Sequence, residues 1–131
     1  MTKEKLRQYC WLIKNINTLE ERLFQVETKA QSITACMDKD FITGGVVSDR
    51  MAERVAEMAD ISKTINEQLR KAYKLEKEIE EAIEVLDERE KYLIRLKYIK
   101  CLTWPEIAVD MNYSWQNMHK IHAKALTQLK E

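Results

Sequence analysis

The chain has 131 residues with 22 basic and 22 acidic side chains, two glycines and one proline, a balance that favours long helices over sheets or a low-complexity tail. A formal net charge of zero gives the chain as a whole no bias towards polyanions. No apolar run approaches the ~18 residues needed to span a bilayer and the polar start, residues 1–8, lacks the core of a signal peptide, so a cytoplasmic protein is expected, with Cys10, Cys36 and Cys101 as reduced thiols.

From Tyr9 to Met37 apolar residues recur at steps of three and four: Tyr9, Leu12, Ile16, Leu19, Leu23, Val26, Ala30, Ile33 and Met37. This heptad seam predicts a long helix that needs a covering partner. Residues 38–49, which hold both glycines, Gly44 and Gly45, read as a turn with Ser48 or Asp49 capping the next helix. A second series follows, through Met51, Val55, Met58, Ile61 or Ser62, Ile65, Leu69, Ala72, Leu75, Ile79, Ala82 or Ile83, and Leu86. Each stretch comes to roughly 35 residues, about 50 Å of helix, so an antiparallel hairpin would bring their outer ends level. Leu6, Cys10, Trp11 and Ile13 form an extra apolar belt at the start of the first helix. It is expected to dock the C-terminal segment or to meet a second copy, and a two-helix hairpin with this much surface predicts a homo-oligomer, a dimer in the simplest case.

The stretch 77–90 is acidic and helix-forming, and Asp87 with Glu90 can cap a new helix whose packing face is Tyr92, Leu93, Leu96 and Ile99. Residues 100–102 then serve as a connector. Charge is unevenly spread: residues 91–131 hold seven Lys or Arg against three Asp or Glu, a net of +4, leaving −4 on residues 1–90.

In that basic part, Thr103 and Glu106 form a capping box around Trp104, with Pro105 in the first turn, where its missing N–H costs little. Ile107, Ala108 and Met111 give a short helix one apolar face. Asn112 suits a left-handed stop and Ser114 a second cap. The next helix runs from Trp115, with Met118, Ile121, Ala125 and Leu129 on its inner face. Trp115, Gln116, Asn117, His119 and Lys120 then point outward, where a helix-turn-helix presents residues to the major groove. Gln and Asn can pair with adenine, Lys can reach guanine or phosphate, and Trp can pack on thymine methyls. Lys124, Ser114 and Thr103 complete the expected DNA-binding set, and Arg95, Lys97 and Lys100 are weaker candidates for phosphate contacts. The overall expectation is an all-α chain: a long antiparallel helical hairpin, a coiled coil, over residues 1–86, followed by a helix-turn-helix domain over 87–131.

The segment from Asp87 to Leu129 resembles region 4 of bacterial sigma-70-type factors, chiefly through LTWPEIAVDMNYS and IHAKAL. The whole chain is similar to small phage and prophage regulators of the RinA and ArpU kind. That resemblance implies double-stranded DNA and RNA polymerase as partners and a role as an activator of phage genes. Asn112-Tyr113 stands where sigma factors usually carry Gly and an aliphatic residue, and Trp115 replaces a common Arg, so the sigma target sequence does not carry over. Nothing matches a promoter-melting region. A small terminase-like packaging subunit and a polymerase-binding adaptor that ignores DNA are the alternatives, the first marked by a ring of many copies and the second by failure to bind DNA.

His119 and His122 are spaced three apart, but no Cys or carboxylate beside them completes a metal set, which favours structural or phosphate-contacting roles. Paired glutamates such as Glu80 and Glu81 read as a solvated helix face. With no phosphate loop, nucleophile motif or metal cluster, neither enzymatic activity nor a cofactor is expected.

Overall fold

Helix-forming composition and three- or four-residue apolar spacing lead to an all-α chain, in which the described residues include no strand. The structure, a computed structural model, describes residues 1–39 and 44–130, with side chains described outside 33–48. Helix α1 spans Lys3–Lys39 and α2 spans Gly44–Ala82. A single 3-10 turn, Ile83–Val85, ends α2 and leads to α3, Glu88–Ile94, which loosens into a π-helical turn over Arg95–Ile99. Helices α4, Trp104–Met111, and α5, Trp115–Leu129, complete the chain. No helix among the described residues is long and apolar enough to cross a membrane.

The helices run further into the expected turn than its glycines suggest, since α1 reaches Lys39 and α2 starts at Gly44, placing Ser48 and Asp49 inside α2. Glycine costs a helix only about 1 kcal/mol per residue, too little to stop a long one by itself. The expected seam positions Ile33 and Met37, with Cys36, have side chains outside the described residues.

The chain forms two compact units: Met1–Ile13 with Lys71–Glu131, and Lys14–Arg70. The boundary expected at Leu86 and Asp87 falls inside the first unit, because the outer ends of both long helices share a core with the C-terminal segment. In the second unit Ile16, Val26, Ala30, Ile61 and Ile65 are buried, and Arg22 meets Glu57 at 3.6 Å. Val55, expected in the seam, is 52% exposed, while Met51 and Met58 are half-buried.

In the first unit Leu6, Tyr9, Leu75, Ile79, Ile83 and Leu86 are buried. Lys5 pairs with Glu78 at 2.9 Å, and the Tyr9 hydroxyl donates to Glu76 Oε2 at 3.3 Å. Burial, with Glu76 beside it, pushes the Tyr9 phenol up to about 12. The apolar belt at the start of α1 docks on the C-terminal segment of its own chain: Leu6 is fully buried, and Cys10 is joined to Cys101 by a disulfide with a Cα–Cα distance of 5.8 Å. This replaces the expectation of reduced thiols for that pair, which a separation of 91 residues hides from sequence inspection. Trp11 stays 62% exposed.

Candidate nucleic-acid interface

Two short helices meeting across a tight turn need their free backbone ends satisfied, and side chains do this at each start. The Asp87 carboxylate accepts from Glu90 N–H at 2.8 Å, which holds it below the usual carboxylate range. Thr103 Oγ1 accepts from Glu106 N–H at 3.4 Å, and Ser114 Oγ from Asn117 N–H at 3.2 Å. Asn112 ends α4 at φ 55°, in the left-handed region, while its N–H and that of Tyr113 turn back to the Ala108 carbonyl. Asn tolerates that conformation better than most residues with a Cβ. The sequence-based assignments of these caps and this stop are therefore met by the geometry.

Beneath the turn, Leu93 and Leu96 from the α3 segment, Ile107 from α4, and Met118 and Ile121 from α5 form one buried cluster. Leu102, Trp104, Ala108, Met111 and Tyr113 pack on its rim. Ala125 and Leu129 continue the buried face of α5, as their spacing predicts. The expected face of the preceding helix is corrected in part. Ile94 and Tyr98 are buried, Tyr92 is exposed and Ile99 is half-buried. The π-helical turn adds a residue to that turn of helix, so a spacing read at 3.6 residues per turn drifts off the buried side.

The outward turn of α5 carries Gln116, Asn117 and Lys120, all exposed, and Trp115 at 55% exposure. His119 is different. Its ring lies between Trp104, 4.6 Å away by ring centres, and Trp115, 4.4 Å away. It is half-buried, and its Nε2 is buried with no hydrogen-bond partner among the described residues. In this arrangement His119 packs against Trp115 and keeps its Nε2 from solvent. Lys97 sits over the other side of this assembly, with Nζ 4.7 Å from the Trp104 ring centre and 3.5 Å from the Leu102 carbonyl.

The remaining candidates fall into two kinds. Ser114 and Thr103 are exposed and act as helix caps. Lys124 is an exposed cation whose Nζ lies 3.5 Å from Glu90 Oε1. Of the weaker phosphate candidates, Arg95 forms a forked pair with Glu80, its closest contact 2.7 Å, while Lys100 is exposed.

Sequence reasoning missed two buried polar groups under this surface. Glu90 is only 2% exposed, and its Oε2 has no hydrogen-bond partner among the described residues. Its place three residues after Asp87 marked it as part of a cap, but no local signal announces its burial. The other is the Tyr98 hydroxyl, 2.7 Å from His122 Nε2. Burial drives the His122 imidazole down to about 4, assisted by Lys3, and drives the Tyr98 phenol up to about 12. With the ring neutral near pH 7, the tautomer sets the direction: Tyr98 donates to a bare Nε2 or accepts from Nε2–H. This contact ties the π-helical turn to the middle of α5. The two histidines share one neighbour, since the Trp104 ring centre lies 4.6 Å from that of His119 and 4.7 Å from that of His122, but only His122 is buried.

Among the described residues no group of three His, Cys, Asp or Glu could hold a metal ion. No family model matches the chain, and neither a curated protein nor a solved structure matches it.

Proposed function

We propose that the chain is a sequence-specific DNA-binding regulator of phage or prophage genes, an activator by its resemblance, acting inside the bacterial host cell. In this reading α4, the turn at 112–114 and α5 form a helix-turn-helix, with the start of α5 in the major groove. The observation that carries it is the first turn of α5: a capped helix start set on a packed core, with Trp115, Gln116, Asn117 and Lys120 exposed together. Gln116 and Asn117 are the base-reading amides, Trp115 is a rigid apolar contact for thymine methyls or sugars, and Lys120 reaches guanine or phosphate. The net charge of +4 over residues 91–131 supplies attraction to the duplex.

The long helices serve as the assembling element. Within the first unit Lys5 of α1 pairs with Glu78 of α2, and within the second Arg22 of α1 pairs with Glu57 of α2. Phe24, Val55 and Tyr73 lie exposed along those helices, apolar surface that association with a second copy would cover. Two reading helices in a dimer would compensate for the few base contacts each can make. The same helices are the natural place for contact with RNA polymerase.

The test is binding of the full chain to fragments of its own genomic neighbourhood. Affinity should fall linearly with the logarithm of salt concentration, with a slope of about −0.9 per phosphate neutralised. Replacing Gln116, Asn117 and Lys120 together by Ala should remove discrimination between fragments while leaving the fold intact by circular dichroism. Unchanged discrimination would overturn the residue assignment, and no DNA binding at low salt would favour the adaptor reading. Light scattering should give a dimer mass; a ring of many copies would favour the packaging reading.

A further inference from the structure

The bond between Cys10 and Cys101 lies at a mechanically sensitive place. Cys101 stands at φ 58°, left-handed backbone that a side-chain-bearing residue rarely adopts. It lies two residues before Thr103, the cap of α4, in the connector that follows the π-helical turn. Leu102 N–H closes that connector on the Leu96 carbonyl at 3.0 Å. On the other side, Cys10 projects from α1 onto the same turn, its Sγ 3.1 Å from the Tyr98 carbonyl oxygen. Tyr98 in turn holds His122 of α5. One covalent link therefore touches two of the contacts by which α1 supports the α4–α5 pair, beside the direct bond from the Met1 amine to the Leu129 carbonyl. Both cysteines are half-buried residues rather than core ones. In the bonded form the Cys10 Sγ lies 3.1 Å from the Tyr98 carbonyl oxygen and the Cys101 Sγ 3.7 Å from that of Ile99, so acceptors stand ready for both thiols once the link opens.

We propose that Cys10 and Cys101 form a reversible redox latch that sets the connector into α4 and, through it, the DNA affinity of α5. Its effect on DNA rests on the function proposed above; its effect on the connector does not. Closure by a peroxide is balanced as follows. One thiolate attacks the peroxide oxygen, giving a sulfenic acid and releasing water or an alcohol; the second thiolate displaces the sulfenic oxygen as water, forming the S–S bond. Two electrons and two protons leave the thiol pair in all. A dithiol reductant reverses this: its thiolate attacks one sulfur, its second thiol resolves the mixed disulfide, and the reductant becomes the oxidised member. A closed latch holds residues 100–103 in their binding geometry, and an open one lets them sample others, which lowers affinity by the fraction of time spent elsewhere. Roughly a 3- to 10-fold loss on reduction is expected.

The test uses the full chain treated with hydrogen peroxide or with dithiothreitol. Peptide mapping after denaturing alkylation should find Cys10 linked to Cys101 in the first sample and all three cysteines alkylated in the second. Hydrogen exchange across residues 100–111 should quicken on reduction, and DNA affinity should fall. Cys36→Ser should preserve every one of these responses, whereas Cys10→Ser with Cys101→Ser should bind DNA with the lower affinity in both reagents. Linkage through Cys36, no linkage, or exchange at 100–111 that ignores the reagent overturns the latch. A chain whose connector responds but which binds no DNA in either state overturns the proposed function and leaves the connector latch standing; equal affinity in both states, with DNA bound, overturns the latch as a control on binding.

Discussion

Tyr98→Phe removes one oxygen from a fully enclosed contact and leaves the ring in place. Two costs follow. The hydrogen bond to His122 Nε2, 2.7 Å long, contributes about 1 kcal/mol net, and the ring nitrogen it leaves behind is buried without a partner, which adds about 1–3 kcal/mol. Since both residues are buried, water cannot readily replace the hydroxyl, and a total loss of about 2–4 kcal/mol is expected. The pH dependence gives an independent signature. His122 sits near 4 in the folded chain against an ordinary 6.5, so between those values the unfolded chain binds the extra proton. Stability from this group is complete above about pH 6.5 and is lost as pH falls towards 4, with a slope of up to about 1.4 kcal/mol per pH unit. Burial, the main cause of the shift, stays in place in the variant, so a His122 pKa that moves up and a slope that shrinks would mark Tyr98 as the donor to the neutral ring. Urea unfolding at about pH 7.5 and about pH 5 reads the stability, and the carbon-bound ring proton of His122 reads the titration by NMR. A loss below about 0.5 kcal/mol, within the ordinary range of surface substitutions, together with an unshifted His122 titration would refute the reasoning.

Three further substitutions probe the same unit. Ile107→Ala empties a fully buried site in the cluster under the turn and should cost about 2–5 kcal/mol by chemical denaturation; a loss under about 1 kcal/mol would mean that the cluster does not hold α4. Asn112→Val places a β-branched residue at φ 55° and should cost about 1–2 kcal/mol or more, while Asn112→Gly should be neutral or better; equal behaviour of the two would remove the left-handed stop from the account. Glu90→Gln keeps the buried shape but removes the carboxylate held 3.5 Å from Lys124. If the freed ammonium reaches a phosphate, the salt slope of DNA binding should steepen by about one unit, and an unchanged slope would take Lys124 out of the interface.

Local features of this chain were legible because their causes are local. Thr103 with Glu106, Ser114 three residues before Asn117, and Asp87 before Glu90 are contacts within one turn, and the structure has each of them. The inner face of α5 follows from a spacing that a regular helix preserves. What escaped depends on contacts across many residues or on irregular backbone. Tyr98 took a place assigned to Ile99 because of the π-helical turn. His119 was expected outward like its neighbours, but Trp104, fifteen positions earlier in the chain, supplies a ring to stack on. Cys10 and Cys101 find each other only once α1 lies on the C-terminal segment. Val55 fits the heptad series and is nevertheless exposed, since periodicity marks a stripe without saying how much of it a neighbour covers.

The stack of Trp104, His119 and Trp115 also makes the candidate interface optically addressable. The chain has three tryptophans, and two of them touch the same imidazole, Trp104 from within the packed rim and Trp115 from the exposed side. A duplex covering Trp115 would shift its spectrum while leaving the more enclosed Trp104 largely unaffected. With Trp11 changed to Phe to remove the third emitter, the chain would report occupancy of the candidate interface by fluorescence, without an attached dye on α5.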